Sequence, residues 1–442
     1  MGTPDHIEKM LDNQLPEGWK RKIIKRDYSV TLGKMIQSQQ KSEEETEEYY
    51  LRSANIKWGG VDLASIKRMW FSPFEKEKLA LKKGDLLVSE GGDVGRTSVW
   101  DEELSACYIQ NAINRIRSKT ENNSTLFLYY WLYMLKHAGY IDAIVSRITI
   151  AHLTAEKLER LLCVCPPIID QIRITKYLEK ILSQIEDTIS IKQNQFDVLE
   201  DLKKSIIHKA VTKGLDESVE MKVACVEWFS ETPNNWKKFR IKDVVDISPG
   251  FSEDAPSNGG IYTIVPMEAV SVKGDVDNQK KLMFEEISTG LTHFENGDII
   301  FAKITPCMEN GKGAYVRNIE TQYGFGSTEF HVMRPRCKIE GRFLYYYTYD
   351  AEYRSYAALN MTGAAGQKRV SRKFLAYTEI YLPEIKEQIK IANYLDQKIF
   401  QIEKLKKNIT QQIETLELYR KSIIHECVTG KRRVTEDDLK EL

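Results

Sequence analysis

The 442-residue sequence contains no apolar run long enough to cross a membrane. Its longest such run, LFLYYWLYML at 126–135, has ten residues, whereas a bilayer span needs about 20. The first residues, MGTPDHIEKMLDNQ, show no basic start followed by an apolar core, so they do not look like a secretion signal. These absences predict a cytoplasmic protein without a membrane partner, in which residues 126–135 form a buried helix.

Paired cysteines and metal-binding spacings are also missing. The seven cysteines are scattered, and only Cys163 and Cys165 lie close together, in LERLLCVCPP, a stretch that predicts a buried strand. No histidine or second cysteine pair completes a zinc spacing. The sequence therefore predicts reduced thiols and no metal site.

The chain lacks an excess of charge of either sign. Lys and Arg total 64, and Asp and Glu total 64, which gives a formal net charge of zero. This balance argues against non-specific nucleic-acid binding through a uniformly basic surface, although local basic patches would still allow binding. The hydrophobic fraction of 42% and the charged fraction of 29% are typical of a globular protein.

Recognisable catalytic motifs are absent as well. SEGGDVGRTS at 89–98 is one residue too short between its glycines for a phosphate loop and has Arg96 in place of the lysine, so it predicts a glycine-rich turn that exposes Arg96. No G-x-G-x-x-G follows a strand, and no Asn-Pro-Pro or Asp-Pro-Pro precedes an aromatic residue, as in adenine methyltransferases. His208 and His425 are predicted to pack or to cap helices. The chain by itself looks non-catalytic.

What the sequence does contain is a long internal repeat. KKSIIHKAVTKG at 203–214 returns as RKSIIHECVTGK at 420–431, and about 20 of the 49 positions from Pro166 to Gly214 are identical to those found at the same displacement along the chain. This displacement, which places Lys203 on Arg420, is the repeat offset. It also pairs LPEGW with TPNNW, through Trp19 and Trp236. Between these anchors the match is weak. One module, made of a divergent globular part and a well-matched helical part, is therefore used twice.

The helical parts carry apolar residues at seven-residue spacing, which predicts a coiled-coil seam. Helices of this length would span about 60 Å. The proline of P-x-x-x-x-Q suits a helix start, and Gly214 and Gly430 suit the stops. Two packed helices are the simpler prediction, the alternative being separate helices that each pack on their own globular part. The heptads alone do not decide between parallel and antiparallel pairing. The predicted seam consists of Leu178, Ile185, Leu199, Ile206, Leu395, Ile402, Ile409, Leu416 and Ile423.

The globular parts are predicted to be α+β, because β-branched and aromatic runs punctuated by glycine surround one aromatic helix in each. Polar residues in ENNST would cap the first of these helices. The predicted domains are a first globular domain 1–165, a long helix 166–214, a linker 215–227, a second globular domain 228–382, a second long helix 383–431 and a tail 432–442.

Polar, glycine-bearing loops with cations occur in both globular parts. Arg and Lys suit phosphates and guanine, while Asn and Gln suit adenine. Each loop taken singly fits an ordinary surface loop, but their recurrence in both copies favours binding. The candidate DNA contacts are Lys34, Gln37, Gln39, Arg96, Thr97, Gln110, Asn111, Ser248, Phe251, Lys303, Thr305, Asn310, Lys312, Ser327, Thr328, Gln367, Lys368 and Arg369.

The order of divergent part and matched helix, twice over, resembles the DNA specificity subunit of Type I restriction-modification systems. The phrases LPEGW, KKSIIHKAVTKG, EQIKIANYLD and RKSIIHECVTGK carry this resemblance from about Leu15 to Val434. TPNNW in the second copy, and Asp170-Gln171 where the family usually has Glu-Gln, are mild departures.

The resemblance implies two target recognition domains, each of which reads one half of a split, asymmetric site on double-stranded DNA. It also implies that the two helices form an antiparallel coiled coil with pseudo-two-fold symmetry, which sets the spacing of the domains. Two modification subunits would dock there and methylate adenine with S-adenosylmethionine, and restriction subunits could join. The chain itself would hold no cofactor and perform no catalysis.

Two alternatives from other functional classes remain at this point. One is a coiled-coil scaffold that binds protein and no DNA, which the neutral net charge favours and the cationic loops disfavour. The other is a self-contained DNA enzyme whose site follows no known motif.

Overall fold

The computed structural model describes residues 15–145, 152–253, 255–364 and 366–440. Residues 1–14, which carry the predicted absence of a secretion signal, lie outside the described residues. So do the last two residues of the predicted tail. The chain divides into two compact units, unit 1 with residues 1–192 and 411–442 and unit 2 with residues 193–410. Each unit therefore combines one globular part with a segment of each long helix. The predicted domain borders stay a prediction.

Unit 1 consists of short strands and helices followed by the start of a long helix. In chain order they are β1 Lys20–Ile23, α1 Ile24–Asp27, β2 Tyr28–Leu32, β3 Thr46–Leu51, β4 Ile56–Lys57, β5 Gly60–Val61, β6 Lys67–Phe71, α2 Pro73–Leu79, β7 Leu86–Ser89, β8 Thr97–Val99, β9 Tyr108–Ile109, β10 Ile113–Ser118, α3 Thr125–His137, α4 Tyr140–Val145, α5 Ala155–Arg160, β11 Leu162–Cys165 and the long helix α6 Ile168–Lys213.

The main sheet of unit 1 is antiparallel, with strand order β2-β10-β7-β8. A smaller sheet has the order β6-β3-β9, in which β3 and β9 are parallel. Strand β1 pairs with β11, which places Lys20 opposite Cys165. This ladder joins the beginning of the globular part to its end, immediately before α6 begins. The buried strand predicted around Cys163 and Cys165 is thus confirmed.

Unit 2 repeats this arrangement. Its elements, with the two helices that follow, are β12 Met221–Val223, β13 Glu231–Pro233, β14 Lys237–Arg240, α7 Ile241–Val244, β15 Val245–Ile247, β16 Ile261–Val265, β17 Lys281–Met283, β18 Thr292–Phe294, β19 Ile299–Ala302, β20 Gly313–Tyr315, β21 Gly324–Gly326, β22 Phe330–Pro335, α8 Gly341–Tyr349, α9 Ala351–Leu359, α10 Arg372–Tyr377, β23 Glu379–Leu382, the long helix α11 Ile385–Val428 and, in unit 1, α12 Glu436–Lys440.

The main sheet of unit 2 matches that of unit 1 strand for strand. This antiparallel sheet has the order β15-β22-β19-β20, and a second sheet has the order β17-β16-β21-β18, with β16 and β21 parallel. Strand β14 pairs with β23 just before α11 begins. The predicted mixed α and β fold, built twice along the chain, is confirmed, although most of the sequence between the anchors has diverged.

An aromatic helix forms the centre of each core. In unit 1 the predicted buried helix is α3, which Ser124 caps by accepting a hydrogen bond from the Phe127 N–H, 3.2 Å between heavy atoms. Trp131 of α3 is fully buried in a cluster that also contains Leu178 of α6 and Ile423 of α11. Within the described residues, no helix combines the length and the apolar composition that a membrane span requires.

The two long helices pack against each other within each unit. In unit 1, Arg420 lies 3.6 Å from Glu186, and Arg432, beyond the end of α11, lies over the ring of Tyr177 at 5.0 Å. From Tyr177 to Glu186 the residue numbers increase, while those of their partners decrease from Arg432 to Arg420, so the two segments run antiparallel. The predicted seam residues are buried or half-buried: Leu178, Ile185, Leu199, Ile206, Leu395, Ile402, Ile409, Leu416 and Ile423. A continuous coiled coil along both helices stays a prediction.

Lysines occupy the interior of the helix pair in unit 2. Lys203 forms an ion pair with Glu403, 3.0 Å between nitrogen and oxygen, and Lys406 contacts Glu200. Lys203 and Lys406 are 5% and 4% exposed, so each buried ammonium has a carboxylate partner on the opposite helix. The Lys203–Glu403 pair recurs in unit 1 as Arg420–Glu186, with both members displaced by the repeat offset.

A buried glutamine at the start of each long helix ties that helix to the globular part. Gln388 Oε1 accepts from the Glu340 N–H at 2.8 Å, and its Nε2 donates to the carbonyls of Lys338 at 3.1 Å and Pro383 at 2.9 Å. Gln171 repeats this in unit 1, where Oε1 accepts from the Ser124 N–H at 2.8 Å. Both side chains are buried. The repeated P-x-x-x-x-Q phrase therefore encodes this attachment.

The repeated tryptophan contacts the same place. Trp236 Nε1 donates to Glu387 at 3.2 Å, and Trp19 Nε1 donates to Asp170 at 3.4 Å. The glycine that ends each helix lies against this indole, because a Cβ on Gly214 would come within 3.3 Å of Trp236 and one on Gly430 within 3.1 Å of Trp19. Both glycines have positive φ, 73° and 77°, which confirms them as helix stops.

We expect Gln388→Ala to lower the free energy of unfolding by about 3 kcal/mol, because the Glu340 N–H and two carbonyls would lose their partner. Gln401→Ala, an exposed change on the same helix, should lower it by less than about 0.5 kcal/mol. Denaturant unfolding of the full chain measures both. Equal values would mean that the amide does not hold the helix start.

A histidine of α6 contacts a buried carboxylate of unit 2. His208 Nδ1 lies 3.1 Å from Asp350 Oδ2, and Asp350 is buried at the start of α9. The hydrogen bond to Asp350 raises the pKa of His208, while partial burial opposes the rise. Capping or packing was predicted for this residue, but the carboxylate partner comes from a segment 142 residues away in sequence.

The stabilising effect of His208 should weaken as pH rises. Because the pKa of His208 is higher in the folded chain than in the unfolded one, the contact stabilises fully below the unfolded pKa and is lost as pH rises through the folded pKa. We expect His208→Gln to lower the thermal midpoint more at about pH 5.5 than at about pH 8.5. Asp350→Asn, which keeps the helix cap, should abolish that difference. An unchanged difference would assign the pH dependence to other groups.

Candidate nucleic-acid interface

Several strand ends of unit 2 meet at one edge of its main sheet. Strand β19 ends where β22 begins, with Ala302 opposite Phe330, and the Ser248 N–H after β15 donates to the Val332 carbonyl at 2.7 Å. Three loops are then joined by backbone hydrogen bonds. The Lys303 N–H donates to the Glu329 carbonyl at 2.9 Å, and the Thr305 N–H donates to the Lys368 carbonyl at 3.0 Å. The structure thus brings together candidates from loops that are far apart in sequence.

Arg369 is held by an acidic partner that the sequence analysis did not single out. Its Nη2 and Nε donate to the two oxygens of Glu329 at 2.7 and 3.0 Å, and its Nη1 donates to the Gln367 carbonyl at 3.2 Å. The hydrogen bond from Arg369 lowers the pKa of Glu329. Arg369 therefore fastens the 366–370 loop, whereas Gln367 and Lys368 are exposed beside it.

The remaining candidates of unit 2 lie on neighbouring loops. Phe251 stacks on His293 with 4.0 Å between ring centroids, and Ser248 has a positive φ of 52°. Lys312 Nζ donates to the Met267 carbonyl at 2.9 Å, so it holds a loop, while Asn310 is exposed. Ser327 is half-buried, and its Oγ accepts a hydrogen bond from the Glu329 N–H at 3.2 Å. The adjacent Thr328 is exposed.

Unit 1 has the same edge, formed by the ends of β2, β7 and β9 and the start of β10. Ser89 pairs with Ile113. Lys34 pairs with Gln110 in an isolated parallel bridge, and the Asn111 N–H donates to the Lys34 carbonyl at 2.8 Å. Lys34, Gln110 and Asn111 are therefore neighbours, as their candidacy for one site requires.

The predicted exposure of Arg96 is wrong. Its side chain is only 19% exposed and lies 3.5 Å from Asp93, and its Nη2 donates to the Ser53 carbonyl at 3.0 Å. Thr97 is fully buried on β8 and donates to the Gly95 carbonyl at 2.9 Å. The tight glycine turn folds both side chains inward, because its own backbone and the segment after β3 supply their partners.

Other candidates of unit 1 are engaged within the protein. Lys34 Nζ forms an ion pair with Glu75 at 2.5 Å. Gln37 is buried, and its Nε2 donates to Glu45 at 2.8 Å and to the Gln39 carbonyl at 3.0 Å. The Gln39 side chain is exposed. Most of the predicted side chains of unit 1 thus shape the loops, and few present polar atoms to solvent.

The structure adds Glu90, Asn114 and His152 to the edge of unit 1. Asn114 Nδ2 donates to Glu90 Oε2 at 3.2 Å and to the Leu153 carbonyl at 3.0 Å. His152 Nδ1 lies 4.0 Å from Glu90 Oε1. Burial raises the pKa of Glu90, while the hydrogen bond from Asn114 opposes the rise.

The repeat offset could have indicated part of this cluster, since it places His152 on Arg369 and Asn114 on His331. It could not have indicated Glu90. The connection between β7 and β10 is shorter than its counterpart between β19 and β22, so Glu90 matches Lys303 only in the fold. No group of three or more histidine, cysteine, aspartate or glutamate side chains in the described part of the chain is placed to hold a metal ion.

Comparison with known proteins identifies the family. The model of the Type I restriction modification DNA specificity domain matches residues 28–200 and 233–415. The chain therefore belongs to this family, which it matches twice. The chain is 34% identical over 163 residues to the Type I restriction enzyme EcoAI specificity subunit of Escherichia coli, an alignment that covers 36% of this chain and 27% of that subunit.

A longer alignment covers nearly all of both chains, and a solved structure has the same fold. The MjaVIII specificity subunit of Methanocaldococcus jannaschii is 22% identical, with 97% of this chain and 96% of that subunit covered. A chain from a structure that describes complex assembly and conformational transition of the type I R-M system superposes with a TM-score of 0.71 at 16% identity, covering 95% of this chain and all of that one. This likeness concerns the fold.

We expect Glu329→Gln to release the loop at 366–370, because it removes the charge that Arg369 pairs with at two points. Tryptic cleavage after Lys368 and Arg369 should then be several-fold faster than in the unchanged chain, measured by mass spectrometry at early times. Glu309→Gln, an exposed change in the same unit, serves as the control. Equal cleavage in both variants would show that the ion pair does not restrain the loop.

Proposed function

We propose that this chain is the DNA specificity subunit of a Type I restriction-modification complex, in which each unit reads one half of a split DNA site. The reading surface of each unit is the loop cluster at the edge of its main sheet. The chain performs no catalysis in this proposal. Adenine methylation belongs to two modification subunits that bind S-adenosylmethionine, and restriction subunits can join the complex.

The observation that carries this proposal is one backbone frame with two sets of side chains. In unit 1 the Leu153 N–H donates to the Glu90 carbonyl at 3.1 Å, and in unit 2 the Val370 N–H donates to the Lys303 carbonyl at 2.8 Å. The frame repeats, while the side chains on it differ in charge. A protein that reads two different half-sites needs this combination of a constant scaffold and variable contacts.

The exposed polar side chains at these edges have the chemistry of DNA contacts. Lysine suits phosphates and guanine, and amides suit adenine. Because the net charge is zero, affinity has to come from such local groups, and we expect the isolated chain to bind DNA weakly. The exposed polar candidates are Gln39, Ser248, Asn310, Thr328, Gln367 and Lys368.

Docking of two copies of one partner is supported by exposed apolar residues that recur on the long helices. Ile172 and Ile389 are 43% and 39% exposed, and Leu202 and Tyr419 are 45% and 43% exposed. The members of each pair are related by the repeat offset. Large apolar side chains left in solvent at matching places of a repeat suit equivalent contacts with identical subunits.

Co-expression of this chain with its modification subunit in a methylation-free host should produce N6-methyladenine in a single split sequence motif, on both strands. Genome sequencing that detects modified bases measures this. Omission of either protein should abolish the signal, because neither alone supplies both the reading and the chemistry.

An unmethylated genome, despite a stable complex of the two proteins, would contradict the proposal and favour a scaffold. Methylation or cleavage of DNA by the purified chain alone would contradict the non-catalytic role.

A further inference from the structure

Glu90 and Lys303 occupy the same position in their two units. Glu90 follows Ser89, the last residue of β7, which lies opposite Ile113 at the start of β10. Lys303 follows Ala302, the last residue of β19, which lies opposite Phe330 at the start of β22. Each also accepts, through its backbone carbonyl, the N–H of the loop that closes over the edge. The two side chains therefore leave one backbone frame at one place, with opposite charge.

The Glu90 carboxylate has an unused acceptor. Asn114 binds Oε2, whereas Oε1 receives no hydrogen bond from the part of the chain that the structure describes. His152 Nδ1 lies 4.0 Å from Oε1, beyond hydrogen-bond distance. The Glu90 side chain is 13% exposed, so solvent reaches it only in part. A half-buried carboxylate oxygen without a donor gains from any donor that enters the site.

The Lys303 ammonium is likewise uncommitted. Among the described residues it takes part in no hydrogen bond and no ion pair. Lys303 contributes to the lowered pKa of the nearby Glu329, but both oxygens of Glu329 are bound by Arg369. Lys303 is half-buried, whereas Lys368 on the adjoining loop is exposed and better placed for a phosphate.

Resting on the proposed function, we propose that Glu90 accepts a hydrogen bond from the amino group of cytosine or adenine in one half-site, and that Lys303 donates to guanine in the other. A carboxylate repels phosphates, so the donors that the major groove can offer Glu90 are the amino groups of cytosine and adenine. Lys303 has the opposite requirement, and O6 and N7 of guanine are acceptors that lysine commonly contacts. Equivalent positions of the two units would thus contact a hydrogen-bond donor of a base in one half-site and an acceptor in the other.

The test measures discrimination between bases at each position of the motif. The complex of this chain with its modification subunit is titrated with duplexes that carry one altered base pair each. We expect Glu90→Gln to reduce discrimination roughly tenfold at one base pair of one half-site, and to leave the other half-site unchanged. Lys303→Gln should do the same at one guanine of that other half-site.

The repeat supplies a matched pair of controls. Glu121 and Lys338 are exposed, lie beyond the opposite end of the same strands and are related by the repeat offset. Glu121→Gln and Lys338→Gln should preserve discrimination at every position. Because the readout is a ratio of affinities within one variant, a uniform loss of affinity or of folded protein does not imitate the expected result.

Unchanged discrimination in both Glu90→Gln and Lys303→Gln, with a normal motif for the unsubstituted chain, would overturn this inference alone. So would an effect of Lys303→Gln at an A·T pair, which contains no guanine. If the unsubstituted complex shows no sequence preference, the proposed function fails and the inference falls with it.

Discussion

The attachment of each long helix to its globular part depends on a buried amide side chain. Gln171 and Gln388 each supply an acceptor to the N–H at the start of an aromatic helix and donors to carbonyls before their own helix. The carbonyls of Pro166 and Pro383 are bound in buried hydrogen bonds, so leaving them unpaired would cost more than the net gain of an ordinary hydrogen bond. Glutamate lacks the donors and leucine lacks both kinds of group. This requirement explains why the glutamine and its neighbouring acid recur at one offset.

The other repeated phrases extend the same attachment. The indole of Trp19 or Trp236 donates to the acid beside the glutamine, and the glycine that ends a long helix lies against that indole. A side chain on Gly214 or Gly430 would need a positive φ and would crowd the ring. Three phrases that are far apart in the sequence, the Pro-Trp segment, the helix start and the helix end, therefore have to remain alike together. The loops at the far edge of each sheet carry no such constraint.

This division of constraints accounts for the candidate functional site. The frame of each edge is made by backbone hydrogen bonds, which any side chain can accompany, so substitution there changes the side chains that the edge presents and keeps the frame. Glu90 and Lys303 illustrate this freedom, since a carboxylate and an ammonium follow equivalent strands. Elsewhere on the edge, ion pairs such as Lys34–Glu75 and Arg369–Glu329 hold the loops. Charged side chains at these edges thus either hold a loop or remain available to a ligand, and only their contacts in the folded chain distinguish the two roles.

The repeat, the family, the mixed fold, the long helices and their stops could all be predicted from the amino-acid sequence, because helix periodicity, capping residues and glycine act within a few residues of chain. The sequence also indicated several of the loops that meet at the edges of the two main sheets. Which side chains are available there became clear only in the folded chain. Arg96 and Thr97 turn inward because the glycine turn and a segment distant in sequence supply their partners, and the fold aligned Glu90 with Lys303 across loops of unequal length. A hydrogen bond or an ion pair depends on distance in space, and position along the chain does not report that distance.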